Sequence, residues 1–206
     1  MKYNREMWEQ AVRFHGHACP GLAQGFRVSR AALRLLGVKR AEDEELLAIV
    51  ENDACGVDAV QALTGCTLGK GNLILDDRGK SVFIFARRDT GTAVRIYFHG
   101  GQKPPDPEFM RLRSLVEGGL ASPEEVERFE AAKLSRIEGL LTDPEEDLLE
   151  WRWVEMELPV RAQLFNSFRC AVCGEKASES RARVRDGQVV CLSCAGSYSR
   201  GWQRGT

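Results

Sequence analysis

Histidine is scarce in this chain: three among 206 residues. Chemistry that rests on imidazole must therefore be concentrated in one place. No apolar run approaches the roughly 20 residues a membrane-spanning helix needs, so no membrane partner is expected. The amino-terminal stretch MKYNREMWEQAVRF is polar and amphipathic rather than a charged head with an apolar run behind it. No secretory signal is expected there, and the chain reads as cytoplasmic. Internal repeats and low-complexity tracts are missing. A strong net charge is missing as well: 29 Lys and Arg against 30 Asp and Glu leave −1, too little to draw a polyanion to the whole molecule. Nor is there a nucleotide-binding P-loop. TGCTLGKGN (64–72) has one residue too few between its glycines, has Gly71 where Ser or Thr must follow Lys70, and leads into a strand pattern rather than a helix. That leaves Lys70 as an anchor for an anionic substrate group or as part of a plain tight turn.

What is present is ordinary in bulk, with 43% hydrophobic and 29% charged residues, as in a globular protein with one buried domain and a small appendage. The charge is segregated, however. Residues 1–105 sum to +3, residues 106–157 to −9 and residues 158–206 to +5, which suggests a core, an acidic connector and a mildly basic tail. A tail of +5 falls short of establishing nucleic-acid binding.

Asn4 stands as a helix cap ahead of apolar Met7, Trp8, Ala11 and Val12, so a helix is expected over 4–14. A second is expected over 21–37, ended by Gly37, with a histidine-bearing loop between the two. ELLAIVEN (45–52) reads as a buried strand running into a short helix that ends at Gly65. Three strand-like runs follow at 71–77, 80–88 and 92–100. The Asp-Arg-Gly and Asp-Thr-Gly turns between them predict consecutive hairpins. KPPDP (103–107) is a break, and 106–147 is an acidic helical segment in which Ser122-Pro123 and Glu125 form a capping box. LLEWRWVEMELP (148–159) reads as a final core strand. The fold expected is α+β, with helices packed on a mainly antiparallel sheet over 1–160 and a small domain over 161–206.

Seven cysteines in a chain with no export signal point to metal ligands or reactive thiols rather than disulfides. Four of them, Cys170, Cys173, Cys191 and Cys194, form two C-x2-C pairs seventeen residues apart. Tetrahedral zinc takes four such thiolates. RARVRDGQVV between the pairs predicts a hairpin with Asp-Gly at its turn, and AGSYSRGW a short helix start. A treble-clef finger or a zinc ribbon fits, with a structural zinc that leaves no position for substrate. Arg181, Arg183 and Arg185 fall on one face of the predicted strand, either as a nucleic-acid contact or as charges guarding an edge strand.

The other three cysteines need a separate account. FHGHACPG (14–21) sets His15, His17 and Cys19 at alternate positions before Pro-Gly, and Cys55 lies between a strand and a helix. A thiol at a helix N-terminus feels the positive end of the dipole. His17 and Cys19, two apart in extended chain, project to one side. With Cys55 they predict a core site for zinc or another divalent metal, with a fourth position open for water or substrate. His15, Asp53, Asp58 and Lys70 are expected to line the same cavity, the aspartates as partners of the ligands or as a general base. Cys66 is either a further ligand or a small core hydrophobe. His99, at a strand end, is read as structural.

FHGHACPGLAQGFR, ENDACGVDAVQALTGCTLGKGNL and DRGKSVFIF, in that order, resemble the FmdE family of formylmethanofuran dehydrogenase subunits across about residues 5–160. The resemblance implies an α+β core, a homodimer, and a metal-associated cavity lined by the residues matching HGHACPG and NDACGVD. It also implies a link to one-carbon, molybdenum-linked metabolism and methanogenesis, as a metal-dependent enzyme for a small-molecule substrate or as a protein partner in an oxidoreductase complex. The alternative is a non-enzymatic metal or cofactor carrier, or a regulator that touches protein or nucleic acid through its finger.

Overall fold

The structure, a computed structural model, describes residues 3–100 and 106–197. They fall into two compact units, residues 1–161 and 162–206. The first opens with α1 (Arg5–His15), whose cap Asn4 accepts the Met7 amide hydrogen at 3.0 Å. After α2 (Pro20–Leu36) come β1 (Leu46–Val50), α3 (Gly56–Thr64), β2 (Leu73–Leu75), β3 (Val82–Arg87) and β4 (Ala93–Phe98). Then follow α4 (Pro107–Glu117), α5 (Pro123–Thr142) and β5 (Leu149–Val154). The expected capping box is present at the start of α5, where Ser122 and Glu125 each bond the other's backbone.

The five strands make one sheet in the order β2-β1-β3-β4-β5, with every pairing antiparallel except β1–β2. The α+β expectation is met, and one of the two expected hairpins is not. β3 and β4 pair across the Asp-Thr-Gly turn, but β1 lies between β2 and β3. Because β1 connects to β2 through α3, the two strands run parallel, and such a pair needs a crossover of this kind. The expected final core strand is also corrected: β5 is an edge strand, with Trp151 43% and Trp153 50% exposed. The two rings share the face of their cross-strand partners Ile96 and Val94 and meet edge to face.

α2 carries the architecture. On one side Val28, Ala31, Ala32 and Leu36 pack on Ala48, Val50, Phe83, Phe85, Val94 and Ile96 of the sheet. On the other, Leu22, Ala23 and Phe26 pack with Trp8 and Ala11 of α1, Ala59 and Leu63 of α3, and Ile137 and Leu141 of α5. On the opposite sheet face Leu47, Ala86 and Ala93 pack with Val154 of β5 and with Met156 and Leu158 beyond it. α2 and α3 approach so closely that a Cβ on Gly25 would lie 2.0 Å from the Gly56 carbonyl oxygen. Glycine at 25 is therefore what lets the two helix N-termini converge.

The second unit has two hairpins, β6 (Ser167–Arg169) with β7 (Lys176–Ser178), and β8 (Arg183–Arg185) with β9 (Gln188–Val190), followed by α6 (Leu192–Ala195). Asp186 and Gly187 both take positive φ, 50° and 76°, as the expected Asp-Gly hairpin turn requires. Arg181 belongs to a 3-10 turn ahead of β8 (Glu179–Arg181), so the three alternating arginines do not all lie on one strand. α6 starts directly after Cys191 and contains Cys194, so the helix lies on the second cysteine pair and ends where AGSYSRGW was expected to begin one, with Gly196 as its C-cap. The part of AGSYSRGW from Tyr198, and residues 103–105 of the KPPDP break, lie outside the described residues. No helix among the described residues is long and apolar enough to cross a membrane.

Candidate metal centres

The first cluster is built where α1 hands over to α2. His15 is the last residue of α1, and Gly16, at φ 97°, turns the chain by donating its amide to Val12 O. Cys19 then caps α2, its Sγ accepting the Leu22 amide hydrogen at 3.3 Å. One donor atom each from His15, His17 and Cys19 falls within 4.8 Å of the others. His15 Nε2 stands 3.8 Å from Cys19 Sγ, and the two imidazoles lie 4.5 Å apart between centroids. A nitrogen and a sulfur on one tetrahedral zinc sit about 3.5 Å apart, so the pair is already close to ligand geometry.

Asp58, in the first turn of α3, holds the first of these side chains. Its Oδ2 lies 2.7 Å from His15 Nδ1, and its Oδ1 accepts from Gln61 Nε2 at 3.3 Å. An ionised carboxylate only accepts, so Nδ1 is the donor, and Nε2 is the ring nitrogen that faces Cys19. Carboxylate–histidine pairs of this form hold metal-binding imidazoles in tautomer and orientation. Asp58 was expected to support the ligands and His15 only to line the cavity; His15 falls in one close group with His17 and Cys19.

Cys55 stands outside that 4.8 Å group. Its side chain and Cys19 Sγ converge over Gly21, where a Cβ would lie 3.2 Å from Cys55 Cβ, 3.7 Å from Cys55 Sγ and 3.9 Å from Cys19 Sγ. Cys55 is exposed and, although it precedes α3, makes no capping bond. The Cys19 thiol is not the activated group expected of a helix N-terminus. Burial pushes it up, and repulsion from Cys55 adds to that against the stabilising Leu22 amide.

The remaining expected cavity residues lie elsewhere or stand open. Asp53 is exposed. Lys70 donates from Nζ to the Glu42 and Asp43 carbonyls at 3.2 and 3.1 Å, and neighbouring Asn72 donates to the Asp43 and Leu46 carbonyls. The glycine-rich turn thus tethers the segment leading into β1. Cys66 is fully buried in the sheet-side core and donates to the Leu46 carbonyl at 3.4 Å. Burial pushes its thiol up to about 11.

The second cluster gathers all four late cysteines within 4.8 Å of one another. Cys170 and Cys173 sit in the turn between β6 and β7, and Cys191 caps α6. Cys173 and Cys191 sulfurs are 3.9 Å apart, against about 3.8 Å for two thiolates on tetrahedral zinc. Amide hydrogens of Cys173 and Cys191 pull the Cys170 thiol down to about 6. Cys194 is pushed up to about 12, chiefly by its bond to Cys191. The all-sulfur donor set suits zinc.

Comparison with known proteins adds to this geometry. Residues 14–150 match the family described as FmdE, molybdenum formylmethanofuran dehydrogenase operon. Residues 163–200 match the prokaryotic dksA/traR C4-type zinc finger. A protein of Archaeoglobus fulgidus described as a probable S-adenosyl-L-methionine-binding protein is 37% identical over 92% of this chain. The chain spans about half, 52%, of that relative's length. The crystal structure of an FmdE-like protein of the tungsten formylmethanofuran dehydrogenase type, from Syntrophus aciditrophicus, superposes with a TM-score of 0.61 at 27% identity, covering 95% of this chain and 97% of that one.

Proposed function

The chain belongs to the FmdE family, and from that premise we propose that it is a two-metal protein with a reactive core site and a structural finger. His15 Nε2, His17 and Cys19 hold a zinc-like divalent ion in the core (1–160). Cys170, Cys173, Cys191 and Cys194 hold zinc in a treble-clef finger (161–206). The observation that carries the reading is the His15 imidazole, bonded to Asp58 at 2.7 Å on one nitrogen and facing Cys19 at 3.8 Å with the other. A histidine held merely for packing has no need of both.

Three protein donors leave one position of a tetrahedral ion free, as in catalytic rather than structural zinc sites. The ion would supply Lewis-acid polarisation to a small-molecule substrate placed there. Asp58 keeps the His15 lone pair directed at the ion, and Asp53 stands open to solvent nearby in sequence as a base. In this reading the protein works in the cytoplasm as a homodimer, as an enzyme or as a component beside an oxidoreductase in one-carbon metabolism. Carriage of a cofactor is the second reading, favoured by the relative described as binding S-adenosyl-L-methionine. Calorimetric titration with that compound separates the two.

Metal analysis tests the first reading. The purified chain should carry two ions, and Cys19→Ser or His15→Ala should carry one while the finger keeps its own. Two ions in both variants would sink the core site.

A further inference from the structure

The core cluster has a second thiol beside it that its ligand set does not use. Cys55 is exposed, lies outside the group formed by His15, His17 and Cys19, and converges with Cys19 over the bare Cα of Gly21. The convergence is built rather than incidental. Gly21 and Gly25 on α2 face Gly56 on α3, and a side chain at 21 would intrude between the two cysteines. Both cysteines stand at helix starts, at the N-terminal ends of α2 and α3.

We propose that Cys19 and Cys55 form a thiol–disulfide switch that gates the core metal site. This rests on the reading of Cys19 as a ligand. The oxidant is a small-molecule disulfide. The exposed Cys55 sulfur attacks one of its sulfurs, forming a mixed disulfide and releasing one small thiolate. Cys19 then attacks the Cys55 sulfur, forming the Cys19–Cys55 bond and expelling the second small thiolate. Two protein thiols give up two electrons and two protons, and the small disulfide takes them up as two thiols. Once bonded to Cys55, Cys19 no longer offers a thiolate, and the ion is left with two histidines. An excess of small thiol runs the exchange backwards and restores the donor set. While the ion is bound, the Cys19 sulfur is committed to it, so occupancy slows the second step. The ion and the disulfide compete for one sulfur.

The test uses the full chain with oxidised glutathione as the probe. Peptide mass spectrometry should find the Cys19 and Cys55 peptides joined, faster after the ion is stripped with a chelator. A chromophoric zinc indicator should register one more ion released per chain from the unaltered protein than from Cys55→Ser, with reduction and added zinc restoring it. Gly21→Ala, which wedges a methyl group between the sulfurs, should slow the cross-link. Equal release from the unaltered chain and Cys55→Ser, or no joined peptide from the stripped protein, overturns the switch. If Cys19→Ser retains two ions, the ligand reading itself has failed, and the gating fails with it even where the peptide forms. If Cys19→Ser loses one ion but no cross-link appears, only the switch is lost.

Discussion

Replacing Gly25 by alanine tests how the core site is assembled. The added Cβ would lie 2.0 Å from the Gly56 carbonyl oxygen, 2.5 Å from its Cα and 2.6 Å from its carbonyl carbon. Ordinary contact begins near 3.4 Å, so the helices must part by about 1.4 Å at that point. The obstruction is backbone on both sides, and no side-chain rotation relieves it. Overpacking of this kind costs about 1–3 kcal/mol, of which the better helix propensity of alanine returns at most about 1 kcal/mol. A net loss of about 1–2 kcal/mol should lower Tm by roughly 2–8 °C in a unit of this size. Thermal unfolding followed by circular dichroism measures it, with Gly69→Ala as control, since nothing stands within 4 Å of a Cβ there. The damage should also be directional. Separating α2 from α3 draws Cys19, which caps α2, away from Cys55 and Asp58 on the α3 side, so core metal affinity should fall while the finger is untouched. A Gly25→Ala chain melting within 1 °C of the parent would refute the reasoning.

Asp58→Asn should weaken core metal binding about 10–100-fold, read by chelator competition with the finger as internal standard; a change under twofold means His15 needs no carboxylate. Serine at both Cys170 and Cys173 should remove one ion and make residues 168–206 protease-sensitive while the core melts as before, and an unchanged metal content contradicts the finger's ligand set. Cys66 gives a signature in pH. Its folded-state value of about 11 exceeds the reference 9.0, so the folded chain keeps a proton that the unfolded chain releases. Its contribution is complete below about pH 9, is lost between 9 and 11, and levels off above, for a total of about 2–3 kcal/mol. Urea unfolding under reducing conditions from pH 8 to 11 should show that slope in the parent but not in Cys66→Ala; parallel curves would count against it.

Local chemistry was the legible part of the sequence. Asn4, Gly37, Ser122 with Glu125, and Asp186-Gly187 each fix their own few residues through a cap or a turn, and each could be read without knowing what lay around it. The place of β2 could not. Asp77-Arg78-Gly79 does turn the chain, but whether the strands on either side pair depends on β1 lying between them. Alternation over 148–159 is silent on whether anything covers either face, so the edge position of β5, with Trp151 and Trp153 exposed, was not legible there. In the core site, spacing brought His17 to Cys19, because two residues of extended chain have a definite reach. The reading that Cys55 joins that pair could not take account of His15, whose place beside Cys19 depends on where α1 ends and on a contact with Asp58 that spans 43 residues.

That last separation has a thermodynamic consequence. His15, His17 and Cys19 lie within five consecutive residues, so gathering them closes almost no loop, and an unfolded chain can chelate an ion nearly as readily as a folded one. A ligand that both states bind stabilises neither strongly. At the proposed site, Asp58 delivered by α3 and the Leu22 amide at the start of α2 are what folding adds for the ion. The finger is the reverse case. Its second pair must be brought back across the whole β7–β9 stretch to meet the first, a closure the ion alone rewards. Stripping metal should therefore leave the core standing with an empty site and take the finger apart.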